Sequence, residues 1–420
     1  MNTNNGGPVR WWILVFTSIA MFGNYYVYDS IAPVADLLQR QLGFSSTQIG
    51  TLNAIYSAPN IFMAVVGGVL VDRFGAARVT FWTTLLCLIG AVATAVGHDF
   101  YVMAAGRLVF GLGAETMINA TLAALGIWFG GKGVALAMAL NISFARLGSY
   151  AADLSPTYAA GLYERGWQPP LWFGAAIMAI GLAAAAAYWW IDARAGKGQP
   201  AHGGSERFNW SDIWRFNRSY WYLVALCVLF YSVIFPFRST FAIVYFQNAH
   251  GLPLEAAGRM NSYVFLAAIF VTPLFGWISD RFGHRTRLLM LGSLLLPLSF
   301  VILAATSWNL WITTALIGIS FSLVPAVLWP CVSQLVEPKR LGTAFGLMDA
   351  LQNTGLTIAN VAAGALNDVS HAGPANPGGY ASMLAFFGVL GALGFVFAWL
   401  LRRRELGPSG HGLERPAPSL

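Results

Sequence analysis

A chain of 420 residues that is 57% hydrophobic and only 10% charged lacks the surface of a soluble domain, where about 25% of residues are charged. Its mean hydropathy of +0.61 and repeated apolar runs of about 20 residues, the length that crosses a bilayer, predict a polytopic helical membrane protein. The net charge of +7 implies no nucleic acid, because the basic residues cluster between apolar runs on one side.

Twelve spans are predicted, at about 11–33, 47–71, 79–97, 101–128, 133–160, 170–191, 219–246, 257–279, 287–306, 309–333, 341–367 and 380–401. Residues 1–10 form a short N-terminal segment. The first span begins at Trp11, carries the aromatic string Tyr25–Asp29 (YYVYD) and shows no small-residue cleavage pattern, so no cleavable signal is expected. The fourth span holds Glu115 in LVFGLGAETMINATLAALGIW, and the fifth holds Arg146 in VALAMALNISFARLGSYAADL. A charge at bilayer depth costs about 2.5–3.5 kcal/mol on insertion scales, so such residues face a water-filled cavity or each other. One of each sign suits a ligand that itself carries both signs. Asp153 lies seven residues beyond Arg146 on the same helix face and is a candidate partner for it. The longest polar interruption, 192–218, separates six spans (11–191) from six (219–401). The seventh span carries Arg238 and the eleventh Asp349, which either pair with each other or line the cavity. The tail 402–420 is rich in Pro and Gly and is predicted to be disordered.

With the N-terminus in the cytoplasm, 18 of the 24 Lys and Arg residues fall on the cytoplasmic side, among them Lys132, Lys197, Arg207 and the run Arg402–Arg404. Arg40, Arg165 and Arg259 fall outside, and Arg107, Arg146 and Arg238 lie in or at the ends of spans. The asymmetry follows the positive-inside rule and puts both termini in the cytoplasm. The anionic inner leaflet is the one polyanion it implies as a partner.

GGVLVDRFGAAR after the second span and GWISDRFGHRTR after the eighth are copies of one motif, 208 residues apart. They align Gly68 with Gly276, Asp72 with Asp280 and Arg73 with Arg281. The expected roles are close helix approach at the glycines, pairing or capping by the acids, and gating by the arginines. The motif, together with Arg107-x-x-x-Gly111-x-Gly113 in the fourth span, resembles the loop and span signatures of the major facilitator superfamily. That resemblance implies an all-α fold of 12 helices in two six-helix halves, rocking about a midplane site. Asp29 is a candidate gate residue or protonatable carboxylate near the outer end of its span.

Longer strings, including GRLVFGLGAETM, FARLGS, LWPCVSQLVEP and LGTAFGLMDALQNTGL, are similar to the lysosomal dipeptide transporter branch of that superfamily. The resemblance implies passive uniport of dipeptides, with Glu115 receiving the ammonium and Arg146 the carboxylate. Chemistry agrees: charge-assisted bonds offset desolvation of a zwitterion, and guanidinium fits carboxylate bidentately. Tyr25, Tyr26, Tyr28, Tyr56, Trp329 and Asn353 are candidates for reading side chains loosely, with Tyr26 and Tyr28 preferred. Arg238 and Asp349 depart from the branch and shift the alternative toward an organic-anion or carboxylate antiporter, or a proton symporter, using Arg146 and Arg238. A non-transporting sensor is a further alternative, disfavoured by intact motifs in both halves.

No Ser, His and acid combination at membrane depth suggests an enzyme, and no phosphate-binding loop suggests ATP as the energy source. Cys87, Cys227 and Cys331 lie in apolar segments, and the six histidines, His202 among them, lie in loops. No metal site and no cofactor are therefore expected. Short loops without an outside N-x-[ST] acceptor suit a multi-pass protein of the bacterial plasma membrane, and a monomer.

Overall fold

The structure, a computed structural model, describes residues 7–130, 133–195, 210–305 and 310–416. Lys132, Lys197, His202 and Arg207 lie outside the described residues. Helices dominate: α1 (Val9–Asp29), α2 (Ile31–Leu42), α3 (Ser46–Phe74), α4 (Ala76–Val96), α5 (Phe100–Phe129), α6 (Val134–Tyr158), α7 (Ala160–Glu164) and α8 (Gln168–Arg194) come first. They are followed by α9 (Arg218–Pro236), α10 (Ala242–His250), α11 (Leu254–Phe282), α12 (Arg285–Ala305), α13 (Leu310–Leu335), α14 (Leu341–Val369) and α15 (Ala381–Glu405). Among the described residues nine helical stretches are long and apolar enough to cross a membrane; α3 adds a tenth if its 60° bend is one broken span. Helices α1 and α14 occupy the first and eleventh predicted spans with more polar sequences.

Two spans differ from expectation. The first does not end near residue 33. After a break at Ser30 the chain re-enters helix α2, and Gly43 stops it with φ +71 and an N–H bonded to Gln39 O and Leu38 O. Arg40, expected in an outside loop, instead pairs with Asp36 at 3.0 Å one turn away on this helical extension. The seventh span runs on to His250 through a π-helical turn, Phe237–Phe241, directly after Pro236. Proline removes a backbone donor, and a wide turn re-registers the helix beyond it.

The chain forms two compact units: one of residues 1–44 and 52–205, the other of 45–51 and 206–420. In the first, α1 packs on α6 and α8, and α4 packs on α5 and α8. In the second, α9 packs on α14 and α15, and α12 packs on α13 and α15. The pairings repeat helix for helix, as the duplicated motif requires. Small residues permit these contacts: a Cβ on Gly111 would lie 2.4 Å from Tyr56 O, and one on Gly113 2.7 Å from Thr83 O. Helices in lipid pack by such close approach. Among the described residues, a Cβ on the motif glycines Gly68 and Gly276 would meet no atom within 4 Å.

The second unit contains the first turns of α3. Asp368 at the end of α14 accepts the Ser46 and Thr47 N–H groups at 2.8 Å each and the Thr47 hydroxyl at 2.5 Å. A carboxylate on the free N–H groups of a helix start satisfies donors that the helix itself cannot.

The tail also departs from expectation. Residues 406–416, predicted to be disordered, form turns packed on the α11–α12 loop, with Leu413 fully buried. Its Pro and Gly content supplies turn geometry here, and buried acids supply the partners.

Candidate functional site

In the first unit the fourth-span signature builds a scaffold. Arg107 is 1% exposed. It donates to Asn53 Oδ1 at 2.6 Å, to Tyr28 O and Val27 O at 3.1 Å, and to Leu52 O at 3.4 Å. The rings of Tyr28, Tyr56 and Phe110 lie 5.3–5.9 Å from its guanidinium carbon. The break at Ser30 turns the Val27 and Tyr28 carbonyls toward it, because the last carbonyls of a helix lack intrahelical donors. Asp29, expected near the outer end of its span, is fully buried and within electrostatic reach of Arg107. A solvated helix-end acid is therefore excluded for it. Asn53, which no sequence signal marked, accepts from Arg107 with its side chain.

Two turns along α5 from Arg107 stands Glu115, half-buried. Arg146 is half-buried on α6, the helix beside it, with its guanidinium carbon 5.8 Å from the Tyr25 ring centroid. Tyr56 has both Tyr25 and Glu115 as electrostatic neighbours, and its ring lies 4.6 Å from that of Tyr28. The structure thus gathers Glu115, Arg146, Tyr25 and Tyr56 in one region of the first unit.

The two preferred aromatics are both buried. Tyr26 is 2% exposed, packs on Phe22 and Phe173, and accepts from the Tyr158 hydroxyl at 3.4 Å. Tyr28 is spent on the Arg107 cage. Tyr25, the half-buried member of the three, is the one that reaches Arg146. Asp153 is fully buried near Tyr163, whose hydroxyl meets Ser155 at 2.5 Å.

The second unit holds the remaining candidates. Arg238, in the π-helical turn, is 2% exposed. Its guanidinium carbon stacks 3.6 Å from the Phe265 ring centroid, and Nη1 donates to Ser239 Oγ at 2.8 Å. Asn261 and Thr314 line the small cavity beside it. Asp349, half-buried, has Cys227 of α9 as its electrostatic neighbour. Cys227 and Arg238 are eleven residues apart, about 16 Å along a helix at 1.5 Å per residue, so Asp349 and Arg238 sit at different depths. Trp329 donates to the Tyr231 hydroxyl at 3.0 Å and stacks on Phe345. Asn353 is 5% exposed, and its amide donates to Asp349 O at 3.1 Å.

The motif loops are unlike each other. Asp72 is half-buried, and Arg73 is exposed over Phe74. Asp280 and Arg281 are exposed, and Asp280 pairs at 3.0 Å with Arg285 of its own loop.

Residues 17–260 and 237–419 match the Major Facilitator Superfamily. The chain is 32% identical over 374 residues to the lysosomal dipeptide transporter MFSD1 of Danio rerio, covering 85% of this chain and 80% of that one. With the Homo sapiens protein of the same name it shares 31% over 414 residues, covering 94% and 87%. In shape it is similar to a bacterial homolog of the human lysosomal transporter Spinster, crystallised inward-facing and unoccupied. The TM-score is 0.77 at 16% identity, over 99% of this chain and 100% of that one. At that identity the likeness concerns the fold alone.

Proposed function

The chain belongs to the Major Facilitator Superfamily, a family of transporters and not enzymes, and from that premise we propose that it carries dipeptides by alternating access. One observation carries the reading: Glu115 and Arg146, of opposite charge, stand midway along two neighbouring helices long and apolar enough to cross a membrane, near Tyr25 and Tyr56. Relatives named as dipeptide transporters cover most of the chain.

The mechanism follows from desolvation. A dipeptide enters as a zwitterion and loses water from both ends. Glu115 receives the ammonium, and Arg146 takes the carboxylate through two parallel N–H bonds. Peptide side chains meet the aromatic surface of Tyr25 and Tyr56, which grips by contact area and not by hydrogen-bond pattern. Asn353, Asp349 and Arg238 shape the second half. The halves then rock about the midplane, and the Asp72–Arg73 and Asp280–Arg281 loops rearrange as the path opens. The cycle is uniport, driven by the dipeptide gradient. The carrier is a monomer of the bacterial plasma membrane with both termini in the cytoplasm.

A thermal-shift screen in detergent tests this. A ligand that binds the native state raises the melting temperature by mass action. Dipeptides should stabilise wild type, while N-acetylated or C-amidated dipeptides should do so far less. Arg146→Ala and Glu115→Gln should each abolish the shift. Stabilisation by small carboxylates alone, insensitive to Glu115→Gln, would overturn the reading in favour of an anion carrier.

A further inference from the structure

Both copies of the duplicated motif keep the leading Gly and the string Asp-Arg-Phe-Gly and then diverge. After Gly75 the first copy reads Ala76-Ala77-Arg78; after Gly283 the second reads His284-Arg285-Thr286. The C-terminal tail touches all three of those second-copy residues.

Glu414 holds the loop with both main chain and side chain. Its carbonyl accepts His284 N–H at 3.1 Å. One carboxylate oxygen accepts the Thr286 N–H at 3.2 Å and the Thr286 hydroxyl; the other lies 3.2 Å from His284 Nδ1 and 3.9 Å from Arg287 Nε. Leu413 O accepts Arg285 N–H at 3.3 Å. Arg285 itself is 2% exposed and forks: Nη1 donates to Arg415 O and Nη2 to the Asp280 carboxylate, each at 3.0 Å.

The tail is in turn anchored to its own helix. Glu405, at the end of α15, accepts the N–H groups of His411, Gly412 and Leu413 at 2.5–2.8 Å. An acid at a helix C-terminus is opposed by the helix dipole, so this burial needs such donors.

Two backbone details fit the same contact. His284 has φ +53, a left-handed value that disfavours a non-glycine residue; Glu414 grips both its amide and its ring. Gly283 has φ +69, and a Cβ there would lie 2.4 Å from Glu414 O and 2.6 Å from Arg415 C.

We propose that residues 406–416 are a clamp on the α11–α12 loop, holding Arg285 on the motif acid Asp280 and thereby controlling how readily that loop changes conformation. The clamp stabilises whichever state contains it, so loosening it shifts the population toward others. Its control of turnover rests on the carrier reading above; its grip on the loop does not.

The test uses the full chain, the double variant Glu405→Gln/Glu414→Gln, and a chain stopped after Leu406. Hydrogen exchange at the His284, Arg285 and Thr286 amides should accelerate at least tenfold in both altered forms, while α4 amides at 77–80 stay unchanged. Dipeptide turnover in liposomes should change at least threefold, with the same half-saturating concentration. Gly283→Ala should lower the melting temperature less in the stopped chain than in the full one, because the strain at φ +69 is common to both and only the clash with the tail is lost. Unchanged loop exchange on removing the tail, or equal effects of Gly283→Ala in both backgrounds, would overturn the clamp. Accelerated exchange with unaltered turnover would overturn its control of transport. If wild type moved no dipeptide, the carrier reading would fall while exchange and the glycine comparison still decided the clamp.

Discussion

Arg107 and Arg146 bear the same charge on neighbouring helices and do different work. Arg107 donates to three main-chain carbonyls and to Asn53 in a dry aromatic cage. Arg107→Ala would remove these hydrogen bonds from buried acceptors, at roughly 1–3 kcal/mol for each that finds no other donor. Ligand-free protein should therefore melt several degrees lower by tryptophan fluorescence, and Arg107→Lys should restore little, since an ammonium lacks the planar fork. Arg146→Ala should leave the ligand-free melting temperature nearly intact and remove only the dipeptide-induced shift. The sequence marked both arginines and Glu115, because a charge inside an apolar run stands out. It did not mark Asn53, and among the three tyrosines it preferred Tyr26 and Tyr28, whereas Tyr25 is the one beside Arg146. Consecutive helical residues point about 100° apart, and a dense aromatic string does not say which of them faces the arginine.

Helix contacts turn on single atoms. Gly111→Ala places a methyl group 2.4 Å from Tyr56 O, so α5 must move off α3, at about 1–3 kcal/mol for overpacking. Gly276→Ala, with open space around it, should melt like wild type in the same assay. The Asp368 cap on α3 gives a pH dependence. Burial pushes the carboxyl up, but bonds from the Thr47 hydroxyl and from the Thr47 and Ser46 N–H groups outweigh it and hold its pKa below the ordinary value. A lowered folded pKa stabilises above the unfolded value, about 3.9 for Asp, and that stability is lost as pH falls through the lower folded value. Asp368→Asn should destabilise modestly near neutral pH, since the site is partly exposed and solvent screens it. It should also flatten the acid limb of a melting-temperature-against-pH curve. Hydropathy located the helices, but the extension α2, the π-helical turn and the ordered tail escaped it. Polar turns and Pro/Gly content read as span ends and disorder, and their partners lie far away in sequence.

At the scale of the whole chain, uniport predicts reversibility. In liposomes, unlabelled dipeptide inside should accelerate labelled dipeptide uptake, with no accompanying acidification reported by an internal pH dye. Uptake that needs a proton gradient would refute uniport and turn attention to buried Asp29 and Asp153. The two-half plan was legible from a motif repeated 208 residues apart, because a duplicated loop requires duplicated helices around it. The matching helix pairings also carry a record of descent. A six-helix ancestor whose gene doubled would bequeath the same neighbours to both copies, and drift would then act on each separately. By that reckoning the difference between the loops that follow Gly75 and Gly283 arose after the two copies separated.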